Sequence, residues 1–202
     1  MVDYGHTRGW ERNEVTMIQV TSADLDRLEF RALRSGEHGD AAVELERLAE
    51  QVDSYSSVSR AELLERSGEQ WEMANEFARA VAVYQRAVAD GGPTLIDARA
   101  LCAGALLELN RREEAQQELD LLLAWGPRGL QTYVHVAESL YAYDDLQGAE
   151  RWASLGAVRF RAQADTEHVW NLLIELLRVR FRARVDLGRD EDELDRLLDG
   201  QC

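Results

Sequence analysis

Three residue slots recur along this chain at a nearly constant interval. Ala80, Tyr84 and Ala87 in FARAVAVYQRAVADGGP return 35 residues on as Ala115, Leu119 and Leu122 in EEAQQELDLLLAWGP, and 34 residues further as Ala149, Ala153 and Gly156 in QGAERWASLGAV. The stretches ahead of them stay in register: Gly68, Ala103 and Ala137 share one slot, and Trp71, Leu106 and Leu140 share another. A small residue lets two helices approach, and a large one fills the space beside it. Such a period dictates architecture, because a unit of roughly 20 to 50 residues cannot bury its apolar face alone and must stack on its neighbours. Within the units Asn75-Glu76, Asn110-Arg111 and Asp144-Asp145 form turns, while Gly92-Pro93 and Gly126-Pro127 stop helices. Each unit is thus a helical hairpin, and the fold class is all-α, an α-α superhelix.

Only Pro93 and Pro127 interrupt a chain of 202 residues dominated by Ala, Leu, Glu and Arg, all of which lose little freedom in a helix. The repeat resembles the tetratricopeptide repeat family, whose unit of about 34 residues is a pair of antiparallel helices. That family has small residues where Gly68, Ala80 and Ala87 stand and aromatics near Trp71 and Tyr84. Residues 61–94 match best. Residues 96–129 carry Leu119 and Leu122 where an aromatic and a small residue are usual, and 130–163 lack the closing proline. Ala41, Leu45 and Leu48 mark a degenerate unit at 22–55, with Gly36-Glu37-His38 as its turn and DSYSSVSR absorbing extra length. HVWNLLIELLRVRFRARVDLG is one long amphipathic helix ended by Gly188, and with EDELDRLL it forms capping helices over 166–198. The repeat domain is expected over 22–200, behind an N-terminal tail at 1–21 that includes Trp10.

A formal net charge of −15, from 23 basic and 38 acidic residues, argues against a protein that neutralises nucleic-acid phosphates or sits on an anionic membrane. Every basic residue is arginine, which excludes Schiff-base lysine chemistry and the lysine of a P-loop. Cys102 and Cys202 form no disulfide framework, and MVDYGHTRGWERNEV has no apolar core of a secretory leader. The expected compartment is a reducing cytoplasm. His6, His38, His135 and His168 lack zinc spacing, Ser56, Ser57 and Ser59 lack a nucleophile elbow, and no glycine-rich phosphate loop is present. No catalytic residue, metal or cofactor is expected. Trp125, Trp152, Trp170 and Tyr133 are read as core by their helical spacing.

The candidate surface begins in AELLERSGEQWEM, where Glu62, Glu65, Glu69 and Glu72 stack on one helical face. Ser59 and Glu62 suit a capping box, and Glu62 and Glu65 favour the positive end of the helix dipole. Like charges at this spacing cost only about 0.2 to 0.5 kcal/mol per pair, so the stripe proves nothing by being tolerated. The resemblance implies more: first helices of such units line a concave groove, at slots held here by Glu62, Glu65, Glu69, Glu72, Asp97, Glu108, Glu138 and Tyr141. A groove so lined would take a protein or peptide partner of basic character. The resemblance also disfavours binding of acidic chaperone tails, since Glu65 and Glu69 stand where that clamp has basic or amide residues. Arg178, Arg180, Arg182 and Arg184 form either a solvated face paired with Asp186, Asp190 and Glu191 or a closure at one end of the groove. The expected function is a non-catalytic interaction module. A peptide sensor working through superhelix curvature and a small metal-dependent enzyme are the alternatives.

The register makes Trp71 a packed residue. Trp71→Ala should therefore cost about 3 to 5 kcal/mol in chemical denaturation; a loss no larger than that of a surface alanine control contradicts the register.

Overall fold

The computed structural model describes residues 17–201, so of the N-terminal tail only 17–21 is included, and Trp10, His6 and Cys202 lie outside the described residues. Among the described residues nine α-helices follow one another: α1 (Ser22–Ser35), α2 (His38–Gln51), α3 (Arg60–Met73), α4 (Phe77–Asp90), α5 (Ala98–Glu108), α6 (Arg112–Trp125), α7 (Leu130–Ala142), α8 (Leu146–Phe160) and α9 (Glu167–Asp186). Two short 3₁₀ helices, Arg161–Gln163 and Asp195–Gln201, complete the described chain. Successive helices pack on one another from α1 to α6 and again from α7 to α9, and α7 also packs against both α5 and α9, so the odd-numbered helices α5, α7 and α9 lie side by side. One apolar core runs without a break from Val20 to Ala183.

Three of the hairpins share one turn. Asn75, Asn110 and Asp144 adopt φ of 60°, 57° and 63°. These are left-handed conformations that Asn and Asp tolerate better than other side chains. Each is followed by the same pair of backbone bonds: Asn75 and Glu76 donate to Glu72 and Trp71, Asn110 and Arg111 to Leu107 and Leu106, and Asp144 and Asp145 to Tyr141 and Leu140. This Schellman arrangement satisfies carbonyls that the helix end would otherwise leave without donors. Gly188, at φ 66°, ends α9 in the same way, with Arg189 donating to Arg184.

The small slots set how closely the helices approach. A Cβ on Gly68 would lie under 3.0 Å from three carbons of the Tyr84 ring. On Gly156 it would meet Leu176 at 2.7 Å and Tyr133 at 2.8 Å. Ala80, Ala103, Ala115, Ala137 and Ala149 are all buried in the equivalent places. The large slot behaves likewise: Trp71 is buried, donates its indole N–H to Glu46 at 3.0 Å and packs over Gly39. Trp152 and Tyr133 are in the core, but Trp125 is 83 % exposed, contrary to its reading as core. It is the last residue of α6, where the chain turns away at Gly126 before another helix can cover it.

The ends are closed by polar contacts. Ile18 pairs with Val52 as an isolated parallel bridge, and the Val20 N–H donates to the Ser56 hydroxyl at 3.0 Å, so DSYSSVSR anchors the start of the described chain. At the other end the arginine run divides. Arg180 is only 3 % exposed, donating to Ser154 at 2.8 Å and pairing with Asp192 and Asp195. Arg184 pairs with Glu150, Asp192 and Asp195 and donates to the Asp190 carbonyl. The solvated face expected for this run is therefore wrong for Arg180 and Arg184. A buried guanidinium persists because two carboxylates and a hydroxyl satisfy it, and removing one partner would strand a charge.

Overpacking the α3–α4 contact is the direct test. Gly68→Ala should destabilise by about 1 to 3 kcal/mol in urea unfolding, and an unchanged midpoint contradicts the close approach.

Candidate partner-binding face

The carboxylates expected on one surface take three different roles. Glu65 leaves the surface: it is 1 % exposed and accepts the Leu95 and Ile96 backbone N–H groups at 3.0 and 2.8 Å. Those donors belong to the chain between Pro93 and α5, which has no helix to satisfy them. A carboxylate from the neighbouring hairpin does so, and burial holds its pKa above the ordinary value despite both bonds. Asp97 caps α5, accepting the Arg99 N–H at 3.1 Å while its own N–H donates to the Thr132 hydroxyl at 3.1 Å. Ser59 accepts the Glu62 N–H at 3.0 Å as the cap of α3. Glu65 and Asp97 thus serve the fold, not an open groove.

Glu69, Glu72 and Glu108 stand differently. Burial pushes the half-buried Glu69 carboxyl up to about 7, against the pull of Arg66 and with a further push from Glu65, Glu29 and Glu72. Burial likewise pushes Glu72 up to about 7; the Tyr84 hydroxyl beside it pulls down and Glu108 on α5 pushes up. That hydroxyl is buried and meets no partner at full hydrogen-bond geometry. On the other side of Glu108, burial and the adjacent carboxylate lift Tyr143 to about 12. Arg66 approaches Glu69 at 3.5 Å and Glu29 on α1 at 3.7 Å, both distances longer than a direct charged hydrogen bond. Among the described residues neither Glu72 nor Glu108 has an arginine in ion-pair range.

The far end of this face is mixed in charge. Exposed Glu138 lies 4.0 Å from Arg182, whose guanidinium sits 4.9 Å from the centre of the Tyr141 ring. The Tyr141 hydroxyl donates to Asp186 at 2.7 Å. A recess there is lined by Glu138, Glu175, Arg178, Phe181 and Arg182. Glu62, Glu69, Glu72 and Glu108 therefore gather toward α1, α3 and α5, and Glu138, Tyr141, Arg178 and Arg182 form a separate group on α7 and α9.

Tyr84, Tyr143 and Glu29 complete the acidic group and were not singled out as site residues; Tyr84 stood out only as a packing slot. Other reactive side chains are accounted for. Cys102 is a buried free thiol pushed up to about 12, and His38 shares a hydrogen bond with Gln70 at 2.9 Å. His135 is held below its ordinary pKa by burial. No group of His, Cys, Asp and Glu able to hold a metal occurs among the described residues, and no described helix is long and apolar enough to cross a membrane.

Stacked helix pairs with a common turn and small interlocking residues define an all-α helical-repeat solenoid. The tetratricopeptide repeat family model matches residues 73–135, from the end of α3 into α7, which is consistent with a protein of that family. Such repeats generally mediate protein–protein interaction and are generally non-catalytic. No curated protein and no solved structure matches the chain.

Raised carboxyl pKa values have a consequence for stability. Folded Glu69 and Glu72 hold protons that unfolded glutamates, at an ordinary 4.5, have released. Their contribution is therefore fully present below about pH 4.5 and is lost as pH rises through about 7. Glu69→Gln with Glu72→Gln should raise the melting temperature at pH 8 by about 2 to 4 °C, the shift roughly 1 kcal/mol produces at this size. The gain should vanish at pH 5; an equal change at both pH values contradicts the assignment.

Proposed function

We propose that the acidic end of the odd-helix face docks a basic peptide or helix of a protein partner, without catalysis. The observation that carries the reading is the half-buried pair Glu69 and Glu72 on α3, with exposed Glu108 of α5 within electrostatic reach of Glu72 and Arg66 as the one cation in ion-pair range among the described residues. Carboxylates crowded in this way repel one another and lose water. An arriving guanidinium or ammonium group relieves both effects, and the long-range field of a chain with net charge −15 speeds its approach. Glu62 and Glu138 extend the acidic surface, and Arg178 and Arg182 at the other end repel a uniformly basic ligand, giving it a direction. Glu65 and Asp97 are not part of this contact, because their oxygens already serve backbone donors.

Affinity capture from source lysate tests the reading with the Glu69→Arg, Glu72→Arg variant as control. Capture should fall by roughly tenfold or more in the variant, equivalent to about 1.4 kcal/mol, and should weaken as salt rises. Undiminished capture by the double variant would count against the groove.

A further inference from the structure

We infer that the partner segment is a basic amphipathic helix whose apolar stripe seats on Phe30, Leu33 and Met73, between α1 and α3. This rests on the docking reading above and names what anchors the ligand. A recess of about 440 Å³ lies at this place, with Phe30, Leu33 and Met73 apolar in its lining and Asp26, Glu29 and Glu69 acidic. The three apolar side chains are 61 %, 65 % and 49 % exposed.

The fold does not account for them. α1 buries Leu25 and Ala32, with Leu28 packed beside the core, whereas Phe30 and Leu33 point to another side of the same helix. Single exposed apolar residues need no explanation, but three lining one recess mark a contact surface. Also in the lining, the His38 ring and the Gln70 amide share a hydrogen bond at 2.9 Å. Phe30 and Leu33 are three residues apart on α1 and Met73 comes from α3, a layout that accepts the i, i+3 or i+4, i+7 stripe of a helix laid between them. Arg34 stands over the Phe30 ring at 5.9 Å, so the ring already faces a cation.

Charge decides the occupant. Asp26, Glu29 and Glu69 surround the apolar residues, and the nearby Arg66 is shared between Glu29 and Glu69. A second copy of a chain at −15 would bring repulsion, whereas a helix with arginine or lysine flanking its apolar stripe would satisfy both features.

The test uses the full chain and two synthetic peptides of about five helical turns. One has leucine at i, i+4 and i+7 and arginine on its other face; the second replaces the leucines with serine and keeps the charge. Labelled-peptide titration should give at least about tenfold tighter binding of the leucine peptide. Phe30→Ser with Leu33→Ser should abolish that preference and leave the serine peptide's affinity unchanged; both positions are exposed, and a thermal melt checks that the variant is folded. Equal affinities for the two peptides on the natural chain, or a preference that survives in the variant, would overturn the apolar anchor. If the serine peptide still weakens with Glu69→Arg and Glu72→Arg in that case, the acidic docking reading stands alone; if it does not, that reading falls as well. Sedimentation showing a dimer that Leu33→Ser dissociates, without peptide binding, would assign the recess to a second copy and overturn the inference.

Discussion

The contact between Gly68 and the Tyr84 ring joins the packing of this protein to its candidate surface. Because Gly68 has no Cβ, the aromatic ring lies directly against α3. The ring then carries a buried hydroxyl to the Glu72 carboxylate, one turn further along α3. A larger residue at 68 would displace both the helix pair and the group that lies behind the acidic face. Glu65 supplies the second constraint, tying the chain before α5 to α3 through two backbone donors. With α5 so placed, Glu108 comes within electrostatic reach of Glu72.

Much of the architecture was legible because the features that build it are local and repeated. Asn75, Asn110 and Asp144 could be picked out as turn residues, and the same left-handed conformation with the same two bonds follows at each. Small residues at 68, 80, 103, 115, 137 and 149 could be read as close-approach points from their period alone. The end structures were less legible. Arg180 and Arg184 look like ordinary helix-surface arginines by spacing, and it takes Ser154 and Glu150 of α8 together with the return of Asp192 and Asp195 across α9 to bury them.

The site was legible in direction and not in depth. A spacing of three and four residues puts Glu62, Glu65, Glu69 and Glu72 near one helical face, but it does not say which carboxylate a neighbouring loop will capture. Glu65 and Glu69 are equivalent by that criterion, yet one is sealed beneath Leu95 and Ile96 while the other stays half-buried beside Arg66. Phe30, Leu33 and Met73 fall outside the repeated slots, so periodicity gave no reason to single them out. Their shared recess depends on how α1 lies against α3 in space.

Function in this account follows from charge held in a partly dehydrated place by the packing behind it. The most direct measurement is a carboxyl carbon NMR titration of the folded natural chain, with Glu69 and Glu72 assigned. Both should titrate with midpoints near 7. Midpoints near 4.5 would show carboxylates as well solvated as those of an unfolded chain and would contradict the account.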